Sequence, residues 1–221
     1  MDPRGAYTAD RASALSGVPI STVHYWARQE TLVPSVSPMR VKLWSYSDLL
    51  GLRTIAWLRA TKVDDNGYSI PATTMPLVRR ALAELRGLDL DLWTDEESPN
   101  VGVDRSGTIV LEPDREPRHL DGQHLIDAET FDVLRPFDLG VEHRGPDLVK
   151  PRPRIRIVPG KLAGAPHVYQ TRVETQALAA LKVRGLDATN IARLYPILKL
   201  EDVDDALDLE RELQPALALA A

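Results

Sequence analysis

Two groups of side chains have the types and spacing for binding chemistry. Ser21, Thr22, His24, Tyr25 and Arg28 lie within one helical pattern whose apolar positions are Val23, Trp26 and Ala27. They therefore fall on the side turned away from a core. Ser and Thr hydroxyls can bond phosphates or base edges, and a guanidinium can take a phosphate or a guanine. An ordinary solvated helix face has the same pattern, so the neighbouring elements must decide between the two readings. Arg40 and Lys42 follow on a short basic hairpin, where cations meet phosphates. In the second group, Arg154 and Arg156 alternate along an extended run and share one face, with Arg172 further on.

Other candidates carry less. His119, Asp121, His124 and Asp127 are metal-ligand types, but they share no helix face and no second cluster supports them, so a polar loop and no metal are expected. The five histidines are scattered, and neither a Gly-rich phosphate loop nor a well-placed carboxylate pair is present. No catalytic residue, cofactor or enzymatic activity is expected.

The elements that must position the first group are legible. Thr8 caps a helix over Ala9 to Ser16, Gly17 ends it, and Pro19 opens a second helix to about Gln29. Leu32-Val33-Pro34 and Val41 to Trp44 read as two short strands around a Ser/Pro loop. Ser45, with Asp48 three residues on, caps a third helix bearing Leu49, Leu52, Ile55, Ala56 and Trp57. Lys62 to Gly67 is loop-like.

In the middle of the chain, Thr73 or Thr74 caps a helix from about Met75 to Arg86, with Gly87 after it. Leu88 to Leu92 alternates as a strand does. Val101, Val103 and Thr108 to Leu111 predict a hairpin, and Leu125-Ile126 a short strand. Asp127 can cap a short helix ending before Pro136, with Phe131, Val133, Leu134 and Phe137 in the core. Arg144 to Pro153 is rich in Pro and charge and reads as a linker.

Three helices close the chain. The first opens at Thr171 or Arg172 and ends at Gly185; a short one is capped by Asp187 and stops at Tyr195-Pro196; the last runs from about Glu201 to Leu213. The expected fold class is mainly α with a small β component (α+β). Its parts are a winged helix-turn-helix over 1–62, an acidic helix-plus-hairpin region over 63–149 serving dimerisation or bracing, and a helix-turn-helix-like unit over 150–221.

Charge follows the same division. Residues 1–62 carry 8 Lys+Arg against 4 Asp+Glu, residues 63–149 carry 8 against 19, and residues 150–221 carry 11 against 9. The signs suggest separate surfaces with separate partners. There is no cysteine, so disulfides and thiolate sites are excluded. With no signal-like N-terminus and no apolar run near 18 residues, a cytoplasmic protein with no membrane partner is expected.

Residues 1–62 resemble the DNA-binding head of the MerR superfamily at Tyr7-Thr8, Ala12, Gly17-Val18, Thr22-Val23, Tyr25-Trp26, Leu32, Trp44-Ser45, Asp48-Leu49 and Leu52. Ser21 and His24 stand where such heads usually carry arginine, and the long dimerising helix that follows them is missing. A metal- or drug-sensing activator is therefore not expected. Arg154-Ile155, Gly164-Ala165-Pro166, Thr171-Arg172, Gly185, Tyr195-Pro196 and Val203 to Leu207 are similar to a bacterial antitoxin family long catalogued as a domain of unknown function. Gln170 replaces the glycine usual before Thr-Arg.

This second resemblance implies a VapB-type antitoxin of a type II toxin–antitoxin system. Such a protein binds and silences a PIN-type ribonuclease toxin, represses its own promoter DNA, and is expected to be a homodimer. PIN nucleases hold Mg²⁺ or Mn²⁺ with clustered carboxylates, so an inserted arginine could displace the metal. Arg154, Arg156 and Arg172 are the candidates, and steric blocking by the C-terminal helices is the other route. A stand-alone regulator with two DNA-binding modules is the alternative.

Overall fold

The structure is a computed structural model that describes residues 4–60, 62–63, 69–70, 72–104, 106–112, 118–119, 131–138 and 144–214. It is an α+β fold of helices with small antiparallel sheets. Helix α1 (Ala9–Ser16) begins at Thr8, whose hydroxyl accepts from Arg11 N, and ends at Gly17 with φ 72°. That left-handed turn is cheap only for glycine. A Cβ there would also come within 2.4 Å of the Gly145 nitrogen. Helix α2 (Ile20–Arg28) follows directly and buries Val23 and Ala27.

The hairpin after α2 is smaller than expected. Leu32 to Pro34 forms no strand; Leu32 is buried, and its N–H, like that of Thr31, bonds the Trp26 carbonyl. The wing is a loop closed by a single bridge, Ser37 to Leu43, while Trp44 pairs with Tyr7 instead. Pro34 and Pro38 limit the ladder, since proline has no N–H to donate. Helix α3 (Tyr46–Arg59) starts with the expected capping box between Ser45 and Asp48 and is almost wholly buried.

A two-strand pair, β1 (Lys62–Val63) and β2 (Ser69–Ile70), leads to α4 (Met75–Arg86), which lays Val78, Ala81, Leu82 and Leu85 on α3. Leu88 to Leu92 is a correction: residues 90–92 form a 3-10 turn, and Leu88 and Leu90 are both buried. Asp89 drives the turn by accepting from Asp91 N. The hairpin forms as predicted from β3 (Asn100–Val103) and β4 (Ile109–Glu112). It is widened by β5 (Arg118–His119) and by β6 (Phe131–Asp132), which pairs with β3.

Phe131 stacks on Trp57 at 5.2 Å, setting this sheet over α3. The predicted helix before Pro136 is another correction. Phe131 continues the sheet, the chain turns, and β7 (Phe137–Asp138) pairs with β8 (Arg144–Gly145). Leu125, Ile126 and Asp127 lie outside the described residues, as do Asp121 and His124.

The stretch read as a linker, 144–153, is built into the core. Leu148 is fully buried, and its carbonyl accepts from the Tyr46 hydroxyl at 2.7 Å. Next, β9 (Ile155–Arg156) pairs with β10 (His167–Val168). Thr171 and Arg172 sit in the turn after β10, not at a helix start, because the Thr171 hydroxyl bonds the Val168 carbonyl. Helix α5 (Thr175–Val183) starts four residues later than Thr171. Helix α6 (Ala188–Leu194) is capped by Asp187 as expected, and α7 (Leu200–Leu213) closes the described chain. One hydrophobic cluster contains Leu15, Leu52, Leu85, Val103, Phe137, Ile155, Leu178 and Val203. The core therefore runs across both boundaries of the three-part division.

Candidate nucleic-acid interface

The outward side of α2 is available. Ser21, Tyr25 and Arg28 are exposed, while Thr22 and His24 are half-buried, with His24 edge-on to Trp44 at 6.4 Å. Arg40 is exposed near the wing tip and Lys42 is partly covered on its returning arm. Met39 and Val41 stand out from the same loop, 75% and 66% exposed. None of the seven polar candidates makes a side-chain hydrogen bond or ion pair among the described residues. The helix itself contains no carboxylate. Trp44, packed under His24 and bridged to Tyr7, ties the wing base to the helix-turn-helix. The arrangement offers hydroxyls, a phenol and three cations along one helix and one loop, suited to phosphate and base-edge contacts.

The second predicted group is deployed differently. Arg156 donates from Nε to the Asp95 carbonyl at 3.0 Å and lies 4.5 Å over the Tyr169 ring; burial lowers its proton affinity. Arg154 donates its backbone N–H to Asp205 and reaches Asp202 at 3.7 Å. Arg152 bonds Asp208 and Glu212. Arg152 and Arg154 fasten the strand to the acidic face of α7, and Arg156 fastens it to the middle of the chain. Arg172 is exposed and without an ion pair among the described residues.

The charge blocks seen in the sequence thus meet partly inside the molecule. Arg11 in α1 forms a two-pronged pair with Glu210 in α7 at 2.7 and 2.9 Å. Asp95 of the acidic middle accepts from Lys161 Nζ, His167 Nε2 and Gln170 N at 2.6, 2.9 and 3.0 Å. Burial pushes its carboxyl up, but the Lys161 and His167 hydrogen bonds and charges outweigh that and hold it below the ordinary value. Tyr7 donates to the Gly164 carbonyl at 2.8 Å, and burial pushes its phenol well up.

Three features have little or no signature in the sequence pattern. Arg53 is fully buried and donates to carbonyls of Leu15, Ser16, Val133, Arg135 and Pro146. Its signal is a lone cation at helical spacing from Leu49 and Ala56, on a face otherwise apolar. Asp95 looks like part of a solvated run with Glu96 and Glu97, and nothing local marks it. The corner between α6 and α7 exposes Leu194, Ile197 and Leu200, with Ile197 at 70%. The run Leu194 to Leu200 holds more apolar residues than a seven-residue helix and a short turn can bury, which makes this corner the most readable of the three.

Among the described residues no three His, Asp or Glu side chains group to hold a metal, and no helix is long and apolar enough to cross a membrane. The fold and surfaces define an α+β protein with a helix-turn-helix outline at each end. Residues 155–209 match the model of a family described as protein of unknown function, DUF433. No curated protein and no solved structure matches the chain.

Proposed function

We propose that the chain is an antitoxin of a type II toxin–antitoxin system. In this reading the winged helix-turn-helix binds promoter DNA as a homodimer, and the C-terminal unit binds a PIN-type ribonuclease. The observation that carries it is the unlike chemistry of the two helical units. The first leaves hydroxyls and cations uncommitted on α2 and the wing. The second closes with α7, which carries seven carboxylates and only Arg211; five are engaged within the chain, and Glu201 and Asp204 stay exposed, where they would repel a phosphate backbone. It exposes instead an apolar corner, Leu194, Ile197 and Leu200, flanked by Arg193 and Lys199. An apolar centre rimmed by cations suits a protein with an acidic site, the kind of site a carboxylate-bearing nuclease presents. The acidic α7 also weighs against a regulator with two DNA-binding modules.

The toxin-contacting arginine of this reading is Arg172, since Arg154 and Arg156 already serve the fold. The test is co-purification with a PIN-type nuclease encoded beside this chain, comparing the native chain with Arg172→Glu and with Leu194→Asp/Ile197→Asp. Loss of the complex in both variants, with melting temperatures unchanged, is expected. Full retention in both sinks the assignment of this surface, and absence of any complex with the native chain sinks the antitoxin reading.

A further inference from the structure

A cleft of about 700 Å³ lies away from α2 and the wing, where the end of α1, Arg135-Pro136 and the 144–152 segment meet the end of α7. Its volume is in the range of small-molecule sites. Four cations line it, Arg135, Arg144, Lys150 and Arg152, with two carboxylates, Asp147 and Glu212; Arg135 is paired with Asp132, and Arg152 with Asp208 and Glu212. Both carboxylates are occupied. Asp147 accepts from the N–H groups of Val149 and Lys150 at 2.8 and 2.7 Å, and Glu212 accepts from Arg152. Arg144 and Lys150 are exposed and have no hydrogen-bonded side-chain partner among the described residues.

Behind this wall sits Arg53. It donates to the carbonyls of Arg135 and Pro146, and no carboxylate among the described residues bonds it. Asp147 and Asp132 act on its buried charge through space, without a hydrogen bond. Helix α1 ends here, and a helix C-terminus repels anions. Two of its last carbonyls, Leu15 and Ser16, are turned into Arg53, so that repulsion is removed. A cleft of this size that keeps two uncommitted cations, Arg144 and Lys150, in its wall with the Arg53 guanidinium behind them suits a phosphate group.

We infer that this cleft binds a phosphate-bearing ligand through Arg144 and Lys150. The site is independent of the toxin assignment, and only its DNA source rests on the promoter assignment. Two sources supply the chemistry, a free di- or triphosphate and the backbone of DNA passing the head. Thermal unfolding of the full chain with inorganic pyrophosphate, at constant ionic strength and with sulfate as control, tests the first. A rise of about 5 °C at saturation is expected with pyrophosphate. Arg144→Glu/Lys150→Glu should abolish the rise while leaving the unliganded transition in place, and Arg144→Gln/Lys150→Gln serves if the reversal impairs folding. If pyrophosphate has no effect but the double variant binds duplex DNA with a salt slope shallower by about two, the phosphate is that of DNA. An undiminished pyrophosphate rise in the variant, or no response in either arm, overturns the inference.

Discussion

The two ends of the chain share an outline. In each, a helix ends at a glycine with positive φ, 72° at Gly17 and 95° at Gly185, and two further helices follow. Both middle helices lack carboxylates, and the difference lies in how far each unit's charges are engaged within the chain. In the head the middle helix, α2, is free of carboxylates, and its outward polar groups are uncommitted. In the tail the closing helix is acidic, and Arg152, Arg154 and Arg11 are spent on it. A helix-turn-helix outline is therefore a packing solution, and whether it can approach DNA depends on which polar groups the rest of the chain leaves over.

The largest expected effect tests whether the two ends are one unit. Arg53 connects α1, the 133–135 turn and Pro146, so Arg53→Met removes the donor to six carbonyls at once. Breaking such a buried charged network costs about 3–5 kcal/mol. Denaturant unfolding should show a single transition moved to lower concentration. Two separate transitions would mean that head and tail are stable apart.

Charge reversal probes the contrast in outward chemistry. Arg28→Glu/Arg40→Glu/Lys42→Glu should weaken binding of duplex DNA about 100-fold or more at moderate salt, at roughly 1 kcal/mol or more for each phosphate no longer neutralised. Reversing Lys182, Arg184 and Arg193 in the tail should change it less than about threefold, since they lie outside the α2 and wing surface. An equal effect from both sets, by fluorescence anisotropy, would erase the distinction between the two ends.

The backbone seam gives a smaller effect. Gly17→Ala puts a Cβ at a positive φ and against Gly145, and should cost at least about 1–2 kcal/mol. Gly185 has open space around it, so Gly185→Ala should cost only the conformational part, about 1 kcal/mol. Calorimetry on the two variants separates the terms.

Local signals explain what was legible. Thr8, Gly17, Ser45 with Asp48, and Asp187 act within their own helix termini, so their caps and stops could be read directly. The failures are tertiary. Leu88 to Leu92 alternates like a strand, but both Leu88 and Leu90 find the core by turning. The stretch from Arg144 to Pro153 has a linker's composition, yet Arg53 and Tyr46, roughly a hundred residues earlier, draw its carbonyls inward. Arg156 carries the same charge as Arg28; what separates them is Asp95, placed by a fold that no local pattern encodes.

The smallest effect concerns Asp95, where the acidic middle grips the basic tail. Its carboxyl titrates below the ordinary carboxylate value because Lys161 and His167 stabilise the ionised form more than burial opposes it. A depressed folded-state value means the unfolded chain takes up the proton first. The stabilisation is then complete above the unfolded value of about 3.9 and is lost as pH falls through the lower folded value. Asp95→Asn should thus be less stable than the native chain at pH 7, and the gap should narrow as pH drops below about 4. Other carboxylates titrate in both proteins, so the difference between the two curves isolates Asp95. A gap that stays constant down to about pH 2 would mean that the grip is steric and not ionic. The contrast between an unengaged head and an internally neutralised tail would then lose one of its supports.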